Sequence, residues 1–206
     1  MMVMSWLPAV AKDFVMPVPQ PANTYPARDE HPAEHVTVAA DPYDMADKAD
    51  IFSVRYSDEG FLPIYVVVTN DGDQPVSLTD LKVQFVTVNR AKIQAATTDD
   101  IYRRLSRPST SGKPSPLPFP TSKKVKGTVS AKTLEEIQNA QFAAKAVEPH
   151  STQAGFMFFD VTSISTPLPG ARLFLTGVRD AKGSELMYFE IPMEKYLSAP
   201  TPSKPN

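Results

Sequence analysis

Ile64-Tyr65-Val66-Val67-Val68-Thr69, closed by Asn70-Asp71-Gly72-Asp73, is the stretch from which the fold is read. Its consecutive β-branched and aromatic residues favour an extended strand. Asn-Asp-Gly then supplies residues that tolerate the backbone angles of a tight turn. Apolar side chains occupy both faces of the run, which predicts a central strand covered on both sides or set in a sandwich core. Just downstream, Leu81, Val83 and Phe85 alternate with Lys82 and Gln84, a half-buried strand with one wet face. Upstream, His35 to Ala40 reads as a first strand stopped by Asp41-Pro42, and residues 43–52 as a short helix or turn.

The C-terminal third returns to the same pattern. Gly155-Phe156-Met157-Phe158-Phe159-Asp160-Val161 is a second two-sided apolar strand. Arg172 to Val178 and Glu185 to Ile191 flank Asp180-Ala181-Lys182-Gly183, a hairpin whose turn rests on glycine. Between the two strand groups, Thr97-x-x-Asp100 predicts a capping box opening a helix to Leu105. Residues 106–124 form a linker rich in Pro, Ser and Lys, and a second helix is predicted from Leu134 to about Ala146, capped by Thr133-x-x-Glu136. Strands grouped in this way favour an antiparallel sandwich over a βαβ repeat.

Proline marks the boundaries: the chain has 21 in 206 residues, about twice the usual share. The expected organisation is an apolar N-terminus and Pro-rich, solvated spacer over 1–33, a β-sandwich domain over 34–197 with an insert at 97–146, and a disordered tail over 198–206. Met1 to Ala11 is apolar and ends in Ala9-x-Ala11, the small-residue pattern of an export cleavage site, although no Lys or Arg precedes it. It reads either as the tail of an export signal or as a loose apolar terminus. No later stretch has the ~18 apolar residues of a membrane-spanning helix, so a soluble mature product without a transmembrane anchor is expected.

Several function classes lose support on composition. Zero cysteines removes disulfides, thiolate nucleophiles and Cys-type zinc sites together. A net charge of −2 gives no basis for nucleic-acid binding. Glycines are scattered rather than gathered into a phosphate-binding loop, so no cofactor is expected. His31 and His35 stand four apart among carboxylates, a metal-ligand spacing if helical, but Pro32 and the surrounding spacer argue against that helix. His150 beside Ser151 is poor geometry for a triad, and turn chemistry accounts for it. Asp99, Asp100, Glu135 and Glu136 are explained as acids at helix starts.

Two segments together resemble a known family: Tyr65 to Leu78, a strand ending in Asn70 before a Gly-containing turn, and Val147 to Val161, a proline turn followed by Gly155 and an aromatic strand. These resemble the immunoglobulin-like bacterial extracytoplasmic domains of the telokin-like type. The resemblance covers about half the chain and implies an immunoglobulin-like fold with no catalytic residues to carry over. The chain departs from the pattern at His150, where such families have glycine, and in the length of its insert.

Charge patterning is the remaining signal. Ile101 to Leu134 holds no acid while Arg103, Arg104, Arg107, Lys113, Lys123, Lys124, Lys126 and Lys132 accumulate, and residues 13–50 are conversely acidic. A basic arm contacting an anionic envelope component or acidic protein is one reading; a charged, solvated linker is the other, and an intramolecular acid–base contact is a third. Tyr43, Tyr56, Tyr102, Tyr188 and Tyr196 are candidates for a sugar platform, with core packing the competing account. The expectation is thus a mainly β, non-catalytic, exported bacterial envelope protein (periplasmic or secreted) acting by protein–protein recognition. A carbohydrate-binding module and a carboxylate-based hydrolase are the alternatives. Partner identity and oligomeric state are not readable from the chain.

Overall fold

The computed structural model describes residues 13–106 and 129–199. In chain order the elements are β1 (Arg28–His31), β2 (Val36–Pro42), α1 (Ala46–Ala49), β3 (Phe61–Asn70), β4 (Val76–Ser77), β5 (Lys82–Val86), β6 (Lys92–Gln94), α2 (Thr98–Leu105), α3 (Ala131–Ala140), β7 (Ala146–Val147), β8 (Ser151–Asp160), β9 (Arg172–Thr176), β10 (Phe189–Pro192) and α4 (Glu194–Leu197). One sheet runs β1-β2-β3-β8, a second β10-β9-β5-β6, and β4 pairs with β7; every strand pair is antiparallel. The protein is therefore mainly β.

Period-two alternation decides which residues face the space between the sheets. Val36, Val38, Ile64, Val66, Val68 and Phe159 from the first sheet meet Val83, Phe85, Leu173, Leu175, Phe189 and Ile191 from the second. The intervening residues of the first sheet do not face water. Ala39, Tyr65, Val67, Phe156 and Phe158 pack under α2 and α3, through Ile101, Leu105 and Ile137, and under Phe52 and Tyr56. Every residue of β3 is accordingly buried, which is the physical meaning of its two-sided apolar run. The molecule has three layers: a helix-and-loop layer, the β3 sheet, and the β9 sheet.

The predicted spacer is corrected in its described part. Residues 13–33 are not a solvated linker but part of the domain. Phe14 stacks on Phe52 with ring centroids 5.5 Å apart, Tyr65 Oη donates to the Pro17 carbonyl at 2.8 Å, and Ala22 N donates to Thr69 Oγ1 at 2.8 Å. Residues 28–31 then pair with β2. The reason is geometric: an extended Pro-rich strap can bury alternate side chains, Phe14 and Met16 here, while Val15 stays exposed.

Two helix expectations divide. The Thr97–Asp100 capping box forms in full, with Asp100 N donating to Thr97 Oγ1 and Thr97 N donating to an Asp100 carboxylate oxygen. The second helix begins earlier than expected, with Ser130 as its cap, and ends at Ala140 rather than Ala146. Past Ala140 the chain turns extended and crosses the β8 edge, where Phe142 N donates to the Phe156 carbonyl at 2.9 Å. The 180–183 hairpin forms, with Gly183 at φ +84° and a single register running from Arg179↔Glu185 to Phe189↔Leu175. His150 adopts φ +53°, the left-handed angle that glycine takes most cheaply, in the turn that leads into β8.

Candidate functional site

Two surfaces stand out. The first is the outer face of β10-β9-β5-β6. Phe174 lies at its centre, flanked in register by Gln84 and Glu190, with Tyr188 packed on it at a ring separation of 4.9 Å. The next row carries Val86, Arg172 and Pro192, and Arg172 pairs with Glu190. Tyr188 is 47% exposed and Met187 68%. An aromatic centre within a polar rim is the usual anatomy of a recognition surface.

The second is a groove of about 760 Å³ at the end of the sandwich where β3 begins. Asp44, Asp58 and Glu59 supply carboxylates, while Ile164, Pro167 and Leu197 supply apolar wall. Beside it, the Lys48 ammonium lies 4.8 Å from the ring centroids of both Tyr43 and Tyr196 and bonds the Asp41 carboxylate and the Pro42 carbonyl. Tyr196 Oη donates to Asp44 at 2.7 Å, tying α4 to the chain after β2. Burial raises the Asp41 carboxyl above its ordinary range, against the pull of Lys48. The nearby Asp44 carboxylate adds to that rise.

The basic candidates separate. Arg103 is exposed and faces its own helix acids, 2.8 Å from Asp100 and 3.1 Å from Asp99. Arg104 fastens α2 to the sandwich: it pairs with Asp160, donates to Thr162 Oγ1 at 2.9 Å and to the Glu59 carbonyl at 3.2 Å, and lies 5.3 Å over the Phe61 ring. Burial would raise the Asp160 carboxyl, but hydrogen bonds from Thr162 and Arg104 outweigh it and hold the group low. Arg107, Lys113, Lys123, Lys124 and Lys126 lie outside the described residues, as do Ala9 and Ala11. The acid–base contact between the N-terminal and insert stretches is represented among the described residues by the ion pair of Lys132 with Asp13.

The histidine pair is not on a helix. His31 belongs to β1 and stacks on Phe189 at 3.9 Å, whereas His35 sits at φ +57° in the turn before β2. The tyrosines separate: Tyr56 is buried in the core, Tyr43 packs edge-on against Phe156 at 4.8 Å and shares Lys48 with Tyr196, and Tyr188 lies on Phe174 on the second sheet. Glu136 corrects the reading as a helix-start acid. It is buried and accepts from Tyr56 Oη at 3.1 Å and Ser53 N at 2.9 Å. No sequence signal marks it, because its partners lie some 80 residues away.

Burial raises the phenols of Tyr43, Tyr56, Tyr65 and Tyr196 well above their ordinary value, helped by Asp41, Glu136, Tyr25 and Asp44 respectively. With the folded value raised, their contribution to stability is complete below the unfolded value of about 10 and falls away as pH rises further. Tyrosinate absorbance at 295 nm from these four is therefore expected to appear together with loss of the near-ultraviolet dichroism, not ahead of it.

No family model, curated protein or solved structure matches this chain. The functional reading rests on its own residues. Among the described residues no helix is long and apolar enough to cross a membrane, and no group of three or more His, Asp or Glu side chains is placed to hold a metal ion.

Proposed function

We propose that this is an exported, non-catalytic binding domain of the bacterial cell envelope, built on an immunoglobulin-like sandwich and acting through protein–protein recognition. The observation that carries the reading is the asymmetry of the two sheets. The β3 sheet is covered on both faces, whereas the β9 sheet turns Phe174 and Tyr188 outward with no layer of the described chain across them. The immunoglobulin-like assignment is supported by strand order. β2-β3-β8 facing β10-β9-β5-β6 follows the A-B-E and G-F-C-C′ arrangement of such sandwiches. Export is supported by Ala9-x-Ala11, two residues ahead of Asp13, whose pairing with Lys132 starts the docked strap.

The test is site-specific photocrosslinking in the native cells. A photoreactive side chain at Phe174 or Tyr188 is expected to give one discrete protein adduct in the envelope fraction, and the same group at Val15 on the strap none. Phe174→Ser with Tyr188→Ser is expected to abolish retention of that protein while leaving the thermal midpoint nearly unchanged for the exposed Tyr188. Equal adducts from Val15, or none from the sheet face, would overturn the reading.

A further inference from the structure

We infer that the partner read by the outer face of the β9 sheet presents an extended acidic segment, with two carboxylates four residues apart and an apolar side chain midway. This deepens the recognition role proposed above and rests on it. Register lays the outward residues of the sheet in rows across the strands. One row is Pro192, Arg172, Val86 and Lys92; the next is Glu190, Phe174, Gln84 and Gln94; the third joins Thr176 to Lys82. Lys82 and Lys92 are exposed, and among the described residues neither meets a carboxylate. Arg90, exposed in the turn that joins β5 to β6, adds a third cation at the Lys92 end. The acids nearby are already engaged. Glu190 pairs with Arg172, and Asp80, two residues before Lys82, pairs with Arg179. Asp29 accepts from Glu190 N at the β10 edge, and Glu194 accepts from Gly170 N ahead of β9. The open charge of the face is therefore the lysine pair on its β5-β6 half. Leu105 and Val129, which stand on either side of residues 107–128, pack in the helical layer behind the β3 sheet, away from this face.

Spacing turns that charge into a motif. Lys92 stands opposite Val86, and Lys82 lies four residues from Val86 along β5, about 13 Å at the rise of a strand. An extended peptide has the same rise and presents alternate side chains on one side. Laid along β5, its first and fifth residues reach the two lysines, and its third falls on the row of Phe174. On a helix the same two acids would stand only about 6 Å apart, so the extended form is the one that fits. The apolar third residue covers Phe174 and Tyr188, which pack together at a ring separation of 4.9 Å. An apolar centre excludes water while the charges at its rim fix direction and register.

Fluorescence anisotropy with the full chain tests it, using three labelled peptides with the cores Glu-Ser-Phe-Ser-Glu, Glu-Glu-Phe-Ser-Ser and Lys-Ser-Phe-Ser-Lys. The first is expected to bind most tightly. Lys82→Gln and Lys92→Gln, both exposed positions, are each expected to weaken it about threefold, and together about tenfold, or ~1.4 kcal/mol. Raising salt is expected to shrink that loss, and Arg103→Gln on α2 is expected to leave binding unchanged. Equal binding of the first two peptides would overturn the proposal, as would indifference to both lysine substitutions. Binding to phosphatidylglycerol vesicles that needs both lysines, without binding of the first peptide, would make a lipid surface the occupant and overturn it as well. In the native cells, the photoadduct formed from Tyr188 is expected to fall in the double lysine variant. An undiminished adduct would overturn this inference and leave the recognition role standing, whereas no adduct from the face of the unsubstituted chain would remove both.

Discussion

Gly155→Ala is expected to destabilise the fold by about 3 kcal/mol, the upper part of the range for forcing a methyl into a packed site. For a chain of this size that lowers the thermal midpoint by about 6–12 °C. The reason is a main-chain crossing. Residues 131–140 belong to the helical layer, yet Phe142 and Val147 pack between the sheets. The chain passes from one layer to the other around the edge of β8, bonding the Phe156 carbonyl as it goes. A Cβ on Gly155 would meet the Phe142 backbone, its nitrogen at 2.7 Å and its Cα closer still. Backbone held by two layers cannot move aside as a flexible side chain can. Adding Phe142→Ala to Gly155→Ala is therefore expected not to restore stability, and urea denaturation of the single and double variants checks both statements. Full rescue by trimming Phe142 would show that the ring, not the main chain, sets the constraint.

Asn70→Ala is expected to cost a similar amount, about 3 kcal/mol, because it strands several buried groups at once. Asn70 is 1% exposed at the end of β3. Its Nδ2 donates to the carbonyls of Gln74, Val147 and Glu148 at 2.8, 3.1 and 3.3 Å, and its Oδ1 accepts from Gly72 N at 3.0 Å. One side chain thus closes the Asp71–Gln74 turn and joins it to the chain entering β8. Asn70→Asp is expected to be the worse of the two. It keeps the acceptor for Gly72 but turns a carboxylate oxygen toward the three carbonyls. Thermal and urea midpoints in the order wild type, Ala, Asp would bear this out; an Asp variant as stable as wild type would remove the network from the account.

Both residues were visible in the sequence as turn and strand features, and neither showed its partner there. Asn70 stood before a Gly-containing turn and Gly155 at the head of an aromatic strand. Their importance comes from Val147, Glu148 and Phe142, which reach them through the fold. Glu136 is the sharper case. A glutamate early in a helix reads as a favourable N-terminal charge, and only the packing of α3 over residues 53–56 makes it a buried acceptor. The basic run shows the reverse. Counted along the chain, Arg103 and Arg104 belong to a cationic arm, yet in space Asp99, Asp100 and Asp160 already answer them. The carboxylates of the groove, Asp44, Asp58 and Glu59, gave no motif, because they converge from two separate loops.

The amino-acid sequence by itself determined the strands β2, β3, β5, β8, β9 and β10, the two-sided character of β3 and β8, the first helix cap and the closing hairpin. Each depends on neighbours within a few residues: β-branched propensity, period-two alternation, a Thr–Asp box, a glycine turn. Which layer covers the second face of β3, how the strap from Phe14 to Ala27 docks, and where an acid becomes a tether or an arginine a fastening were decided only by tertiary structure. Those outcomes depend on burial and on partners often 40 to 80 residues distant, which no local pattern encodes. The open aromatic face and the acidic groove are of the same kind, since a surface is defined by what the rest of the chain leaves uncovered.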